Sequence, residues 1–426
     1  MTNGCYGNNT IPKCLYSMED APCYTVSIFM KKLFFIGIGG VVLSAAAFGL
    51  SYTNKDSVNG SSNATGMESQ QEQIKKGEDV TTPMIERMKT PDVMKAVYLT
   101  APSAGREDKI QTVLAMKKNG LNAVVIDVKD SFGMVAYDSQ LETVKQYKLR
   151  QKFIRDLGGL VQRFHDEGIY VIGRVAVFQD TAFAEARPEI AVHDARKVRA
   201  AGGAMSKKTI WRDRKNLAWV DPSSSEVYEY VVALSKDVLG YGFDELNYDY
   251  IRFPSDGSIT SILYPKTIEN TAHTEIIKKF MQYLREEMRG VVISADLFGF
   301  TMIKTEDIGI GQIVEDAYAN FDFISPMVYP SHYPDGFMGY KNPAAWPYEV
   351  VADSMQKGKE RLDMHKATAS STAKLRPWLQ DFDLGADYDA AMIGKQIKAS
   401  KDTLKDGYVG YMLWNPSSNY TSGGLQ

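Results

Sequence analysis

The sequence predicts one α/β domain, a (β/α)8 TIM barrel, and three observations support this fold class. First, a glycine that ends a helical stretch is followed at once by an apolar, β-rich run, and this pattern recurs at Gly120, Gly168, Gly242, Gly290 and Gly407. Second, the runs begin as nearly continuous apolar segments, as strands of a parallel sheet buried on both faces do. Third, strand and helix alternate eight times, which fits a closed barrel better than the alternative, an open doubly wound sheet.

The strands and helices can be placed in order along the chain. Each glycine suits the end of a helix, because Gly adopts the left-handed conformation that bulkier residues resist. The predicted strands are Lys95–Thr100, the runs that start after Gly120, Gly168, Gly242 and Gly290, and then Phe321–Tyr329, Leu375–Gln380 and Tyr408–Trp414. Helices are predicted between the strands, among them Phe153–Glu167, Glu226–Leu239 and Glu275–Met288.

An extended loop is predicted after the third strand. The stretch Asp180–Leu217 is longer than most connections between a strand and the next helix. We expect it to extend over the mouth of the barrel.

The chain before the barrel predicts export. Met30-Lys31-Lys32 precedes an uncharged apolar run from Leu33 to Leu50 with small residues near its end, the pattern of a secretory signal. A run of about 18 residues also approaches the length that spans a bilayer, so a cleaved signal peptide and a retained anchor both stay open. The expected location is outside the cell or on the outer face of its membrane. The predicted segments are an upstream extension at 1–29, the signal or anchor at 30–50, a flexible polar linker at 51–92 and the barrel at 93–426.

Composition argues against several classes of function. The net charge is -3 and no basic tract runs through the chain, so nucleic-acid binding has no support. All 3 cysteines precede residue 30, which argues against a disulfide framework, a Cys-ligated zinc site and a cysteine nucleophile. The 5 histidines lack metal-ligand spacing, and no G-x-S-x-G elbow or G-x-x-x-x-G-K-[ST] phosphate loop occurs. Neither a cofactor nor a metal is therefore predicted.

Two carboxylates are predicted at the mouth, because barrel enzymes carry their working groups at the C-terminal ends of the strands. Asp249 ends the fourth strand and Asp296 ends the fifth. A carboxylate pair at neighbouring strand ends is the arrangement that glycoside hydrolysis needs, one group ionised and the other held protonated. Simpler interpretations stay open: an Asp249–Arg252 ion pair that closes the strand, and Asp296 as the cap of the next helix.

Other strand ends carry polar and aromatic side chains. Tyr and Trp at a polar mouth suit sugar binding, because their flat faces meet sugar C–H groups while their polar tips form hydrogen bonds. The predicted partner is therefore a polysaccharide. The predicted substrate-binding residues are Asp127, Lys129, Arg174, Asn247, Arg252, Tyr329, Trp378 and Trp414.

Four segments of the chain resemble a bacterial family of glycosyl-hydrolase-like domains. They are Lys95–Thr100, Val125–Asp130, Asn247–Pro254 and Ser325–Pro330. The resemblance runs over about residues 94–420, and the D-Y-I-R-F-P block is its most specific part. It implies a barrel fold and glycosidase activity, and it leaves the substrate undefined.

A more distant similarity is to family-18 chitinases, whose D-x-x-D-x-D-x-E strand has the spacing of Asp244 to Asp249. Asn247 stands where that motif has its middle Asp, and Ile251 stands where it has the catalytic Glu. The chitinase mechanism is therefore not implied, and Asp249 with Asp296 is the predicted catalytic pair.

These observations leave three hypotheses for function. In a glycoside hydrolase acting on a cell-surface or extracellular polysaccharide, Asp249 would be nucleophile or electrostatic stabiliser and Asp296 the general acid/base. A carbohydrate-binding barrel of the cell envelope without turnover is the first alternative, because Asn247 and Ile251 replace acids of the distant motif. A metal-dependent polysaccharide-modifying hydrolase is the second, and it would need an ion bound at the Asp-rich mouth.

Overall fold

Eight parallel strands form a closed barrel in the computed structural model, which describes residues 87–421 and 423–425. Successive strands pair in parallel, and the last strand pairs with the first, so the sheet closes on itself. This confirms the predicted (β/α)8 barrel. The strands are β1 Met94–Leu99, β2 Ala123–Lys129, β3 Tyr170–Ala176, β4 Glu245–Asp249, β5 Val292–Phe298, β6 Phe323–Met327, β7 in two segments, Lys374–Leu375 and Trp378–Gln380, and β8 Gly410–Trp414.

A helix follows each of the first seven strands and packs on the outside of the barrel. In one of them, His273–Glu287, the buried residues recur at helical spacing, as in an amphipathic helix with one apolar face toward the sheet. The helices are α1 Glu107–Met116, α2 Leu157–Asp166, α3 Ser225–Leu239, α4 His273–Glu287, α5 Val314–Asn320, α6 Pro347–Thr368 and α7 Ala390–Leu404. Shorter helices lie in the connections, at Ala101–Ala104, Glu142–Gln146, Thr181–Ala186 and Ala195–Ala200.

The predicted extended loop after β3 is built from short elements. It contains the two short helices Thr181–Ala186 and Ala195–Ala200 and a two-residue strand, His193–Asp194. That strand pairs antiparallel with Ile262–Leu263 from the loop after β4, so the two loops brace each other. Backbone hydrogen bonds from Val177 and Phe178 to the end of β4 tie the loop to the mouth of the barrel.

The interior of the barrel is divided into an apolar and a polar half. Below the mouth, the inward positions of β1, β2 and β3 carry Met94, Ala96, Ala123, Val125 and Ile172, all fully or nearly fully buried. The inward positions from β4 to β7 carry buried polar side chains, and all of them except Ser325 form hydrogen bonds inside the barrel. These are Glu245, Asn247, Ser294, Ser325 and Arg376.

The predicted export segments fall outside the structure. Residues 1–29, the signal or anchor at 30–50 and the linker up to residue 86 lie outside the described residues. Within the part that is described, no helix has the length and hydrophobicity needed to cross a bilayer.

Candidate active site

Arg174, on β3, joins the carboxylates at the mouth of the barrel. Its Nη1 donates to Asp127 Oδ1 and its Nη2 to Asp249 Oδ2, each at 2.5 Å. Its Nε lies 3.8 Å from Asp296 Oδ2. The structure thus brings four of the predicted site residues together, and we call Asp127, Arg174, Asp249 and Asp296 the mouth cluster.

Asp249 and Asp296 occupy matching positions on neighbouring strands. The register pairs Asn247 with Ser294 and Tyr248 with Ala295, so the next positions along are the two aspartates. Adjacent strands of a sheet lie about 4.8 Å apart. Both carboxylates also approach one guanidinium group, so they lie on the same inner face of the barrel.

Asp296 lies among neutral donors. Its Oδ1 accepts hydrogen bonds from Asn247 Nδ2 at 2.8 Å and from Trp378 Nε1 at 2.7 Å. Burial, reinforced by the nearby charge of Asp249, raises the pKa of Asp296 well above its usual range, against the opposing effect of Arg174 and these hydrogen bonds. Asp296 lies inside β5 and caps no helix, so the capping interpretation is wrong.

Asp249 has charged and backbone partners instead. Its Oδ2 accepts from Arg174, and its Oδ1 accepts from the backbone N–H of Tyr250 at 2.6 Å. The interpretation of an Asp249–Arg252 ion pair is wrong, because the Arg252 guanidinium donates to the Phe253 carbonyl and to Ser255 Oγ. The Asp249 carboxylate is therefore held by the Arg174 guanidinium of β3.

Aromatic side chains line one side of the mouth cluster. Trp414, which is half-buried, stacks on Tyr98 with ring centres 4.0 Å apart, and Trp378 meets Trp414 edge-on at 5.6 Å. The Arg174 guanidinium lies 5.2 Å from the Trp414 ring. Tyr329 belongs to the same buried cluster as Tyr98 and Trp378, and burial, together with the charges of Asp296 and Asp249, raises its pKa well above its usual range.

Tyr98 belongs to the site and was missed by the sequence argument. Its hydroxyl donates to Asp127 Oδ2, which holds that carboxylate against Arg174. The alternation of Met94, Ala96 and Tyr98 along β1 placed it on the inner face near the mouth, and this signal could have found it.

Lys129 requires a correction, because it is not presented to a substrate. The side chain is fully buried, and its ammonium group donates to the Ala176 carbonyl at 2.6 Å and lies 2.8 Å from Asp180 Oδ2. A register shift between Asp127 and Lys129 interrupts the pairing of β2 with β3, so the two residues do not keep the strict alternation. Lys129 instead anchors the start of the extended loop.

Below the mouth cluster lies an ion pair that the sequence argument also missed. Glu245 on β4 and Arg376 beside β7 pair across the interior and are both fully buried. Ser294 Oγ donates to Glu245 Oε1 at 2.6 Å and also accepts from Asn247. This pair and its hydrogen bonds support Asn247, which in turn holds Asp296.

A protein metal site needs several ligand side chains directed at one point. Over residues 87–421 and 423–425, no group of three or more His, Cys, Asp and Glu side chains is arranged to hold a metal ion. The three carboxylates of the mouth cluster converge on Arg174.

Comparison with known proteins identifies a family and several solved structures that this chain resembles. A family described as "Putative glycosyl hydrolase domain" matches residues 96–420. A hypothetical protein from Ruminiclostridium thermocellum is 32% identical, with 47% of this chain and 96% of that chain covered and a TM-score of 0.41. The α-galactosidase of Thermus thermophilus (12% identical, 80% and 61% covered, TM-score 0.46) and the β-amylase catalytic domain of Paenibacillus polymyxa (12%, 79% and 97%, 0.46) are also similar. No curated protein matches the sequence.

Proposed function

Since the chain belongs to this glycosyl hydrolase family, we propose that it cleaves glycosidic bonds of a polysaccharide with Asp249 and Asp296 as its catalytic pair. One observation carries the assignment. Two carboxylates at matching positions of β4 and β5 face one guanidinium in different environments, one paired with the cation and the other with a raised pKa. Glycoside hydrolysis uses such a division between a charged and a protonated carboxyl group.

In the proposed reaction Asp296 is the general acid. It transfers its proton to the glycosidic oxygen as the bond from that oxygen to the anomeric carbon breaks. Positive charge develops on the sugar ring, and Asp249 stabilises or attacks the anomeric carbon. Water then adds to that carbon, which breaks any bond formed to Asp249, and the proton that water gives up goes to the Asp296 carboxylate, so both side chains return to their starting state.

Other residues of the mouth position the pair and the sugar. Arg174 fixes Asp249 and Asp127, while Trp378 and Asn247 orient the Asp296 carboxyl group. Two buried polar atoms, Arg174 Nε and Asn247 Oδ1, have no hydrogen-bond partner among the described residues. Both atoms are enclosed, so they become available to sugar hydroxyl groups only when the mouth opens.

Access to the pair calls for movement. Asp249 is 5% exposed and Asp296 is 1% exposed, so a polysaccharide reaches them only when side chains or loops at the mouth move aside. When the mouth closes again around a bound substrate, water is excluded. The electrostatic interactions of the mouth cluster then become stronger. The proposed cell-surface or extracellular location of the substrate rests on the apolar run at residues 33–50, which lies outside the described part of the chain.

The proposal is tested by release of reducing ends from a panel of cell-envelope and extracellular polysaccharides. The full chain should release them, and Asp249→Asn should lose activity by a factor on the order of 10³ or more while its near-UV circular dichroism is unchanged. Asp166→Asn, at an exposed carboxylate on α2, is the matched control and should keep full activity. Full activity of Asp249→Asn contradicts the assignment, and glycan binding by the wild type without product selects the carbohydrate-binding alternative.

A further inference from the structure

Arg252 differs from the other buried arginines of the described chain. Three of the four buried arginines pair with a carboxylate: Arg174 with Asp249, Arg361 with Glu315, and Arg376 with Glu245. Arg252 is 5% exposed, and none of the ion pairs among the described residues includes it. A buried cation without an anion is costly, so this guanidinium needs a further explanation.

Aromatic rings and two oxygen acceptors surround the Arg252 guanidinium. Its central carbon lies 4.9 Å from the ring centre of Trp219, 5.1 Å from that of Tyr250 and 4.6 Å from that of Phe298. Cation–π contacts of this kind offset part of the cost of burial. They surround the group without supplying an anion.

One edge of this guanidinium is unused. Both hydrogen bonds of Arg252 come from Nη1, to the Phe253 carbonyl at 3.0 Å and to Ser255 Oγ at 3.2 Å. The Nε and Nη2 atoms of Arg252 donate to no described residue. Neither is among the fully enclosed polar atoms that lack a partner, so both retain some exposure to solvent. These two N–H groups point side by side and form the edge that binds a carboxylate or another oxyanion in a bidentate manner.

Arg252 lies next to the proposed catalytic pair. It follows Asp249 by three residues, and the ring of Phe298, two residues after Asp296, is among those that hold it.

We propose that the missing anion belongs to the substrate: the polysaccharide carries an acidic group on a sugar near the cleaved bond, and the free edge of Arg252 binds it. A carboxylate, as in a uronic acid, matches the two parallel N–H groups, and a sulfate or phosphate ester presents the same paired oxygens. The proposal rests on the proposed function for placing a glycan over the mouth cluster. A neutral glycan would leave the buried cation unpaired.

The test is a binding experiment that needs no turnover. It uses the full chain with Asp296→Asn, which removes the proposed proton donor and puts a neutral group of similar shape in its place. The probes are polygalacturonate, alginate and hyaluronan, each beside its carboxyl-reduced form, and chondroitin sulfate beside its desulfated form. Each reduced or desulfated partner keeps the sugar linkages and lacks one class of anion, so the two classes are distinguished.

We expect at least one acidic probe to bind tenfold or more tightly than its neutralised partner at physiological salt. Adding Arg252→Gln to the Asp296→Asn chain should abolish this preference. Arg252→Lys should keep part of it, because lysine keeps the positive charge but lacks the two parallel N–H donors. Arg289→Gln, at an exposed arginine after α4, removes the same charge away from the mouth and should leave the preference intact.

Equal binding of every probe and its neutralised partner overturns the proposal, as does a preference that survives Arg252→Gln or the absence of binding to every acidic probe. The comparison of each acidic probe with its neutralised form needs only the protein with Arg252 intact. That comparison therefore tests the proposal even if the Arg252 variants do not fold. Charge-selective binding by a wild-type chain that releases no product would overturn the proposed function and leave the acidic-sugar site in place.

Discussion

At the scale of the residue, the same side-chain type is given two roles by its surroundings. Asp249 receives a guanidinium and a backbone N–H, whereas Asp296 receives the neutral donors of Asn247 and Trp378 and is almost fully buried. Burial and the charge of Asp249 therefore raise the pKa of Asp296 well above its usual range. Pairs of titratable groups whose environments separate their pKa values are how acid and base roles are divided.

The raised pKa predicts the pH dependence of activity. Activity requires the protonated form of Asp296, so the rate should fall as pH rises through its raised pKa. The Trp378 hydrogen bond favours the ionised form and lowers this pKa, so Trp378→Phe should raise it and move the alkaline limb of kcat/KM to higher pH. The measurement is a pH–rate profile, with Trp346→Phe as control because Trp346 is 45% exposed in the loop before α6. A limb that stays in place or moves to lower pH speaks against Asp296 as the acid.

At the scale of the element, one strand departs from its prediction. The segment predicted as one strand, Leu375–Gln380, is two short strands separated at Arg376 and Pro377. Proline has no N–H to contribute to the sheet, although its carbonyl still accepts from Met412 at 3.0 Å. The interruption lies beside the buried Arg376, whose side chain enters the barrel interior to reach Glu245.

Closure of the barrel between β8 and β1 depends on a glycine that the sequence argument did not single out. Gly410 has a φ of 102°, and a Cβ added there would lie 1.9 Å from the backbone oxygen of Met94. Side chains rarely adopt this conformation, and the clash is with backbone that cannot swing away.

Gly410→Ala should therefore destabilise the barrel by about 3 kcal/mol or more. Gly407→Ala is the matched control, because a Cβ at Gly407 meets nothing within 4 Å. It should change the free energy of unfolding by less than about 0.5 kcal/mol. Urea unfolding of both variants measures the difference, and equal stabilities would show that β8 and β1 do not need the close approach.

At the scale of the whole molecule, the Glu245–Arg376 pair connects opposite parts of the barrel wall, β4 and β7, through a fully buried interior. Removing one partner leaves an uncompensated charge, so Arg376→Met should cost about 3–5 kcal/mol. Replacing both, as Glu245→Leu with Arg376→Met, should restore most of that stability. A double-mutant cycle in urea measures the coupling, and additive effects of the two substitutions would contradict it.

The fold was largely predictable from the sequence because its signals are local. Helix-ending glycines and apolar runs mark the strands, and alternation along β4 places Asn247 and Asp249 on one face. The ion-pair partners of the charged side chains were not predictable, because they depend on the register between neighbouring strands. Asp249 pairs with Arg174 of the neighbouring strand and not with nearby Arg252, and the register shift in β2 directs Lys129 to Asp180.

The roles of Asp249 and Asp296 are separated by how activity depends on the leaving group. The comparison uses the polysaccharide identified from the panel and a 2,4-dinitrophenyl glycoside of the same sugar, whose leaving group departs without a proton. Asp296→Asn should lose a factor on the order of 10³ on the polysaccharide and less than about tenfold on the aryl glycoside, while Asp249→Asn loses activity on both. Equal losses of Asp296→Asn on the two substrates would contradict Asp296 as the proton donor of a two-carboxylate site.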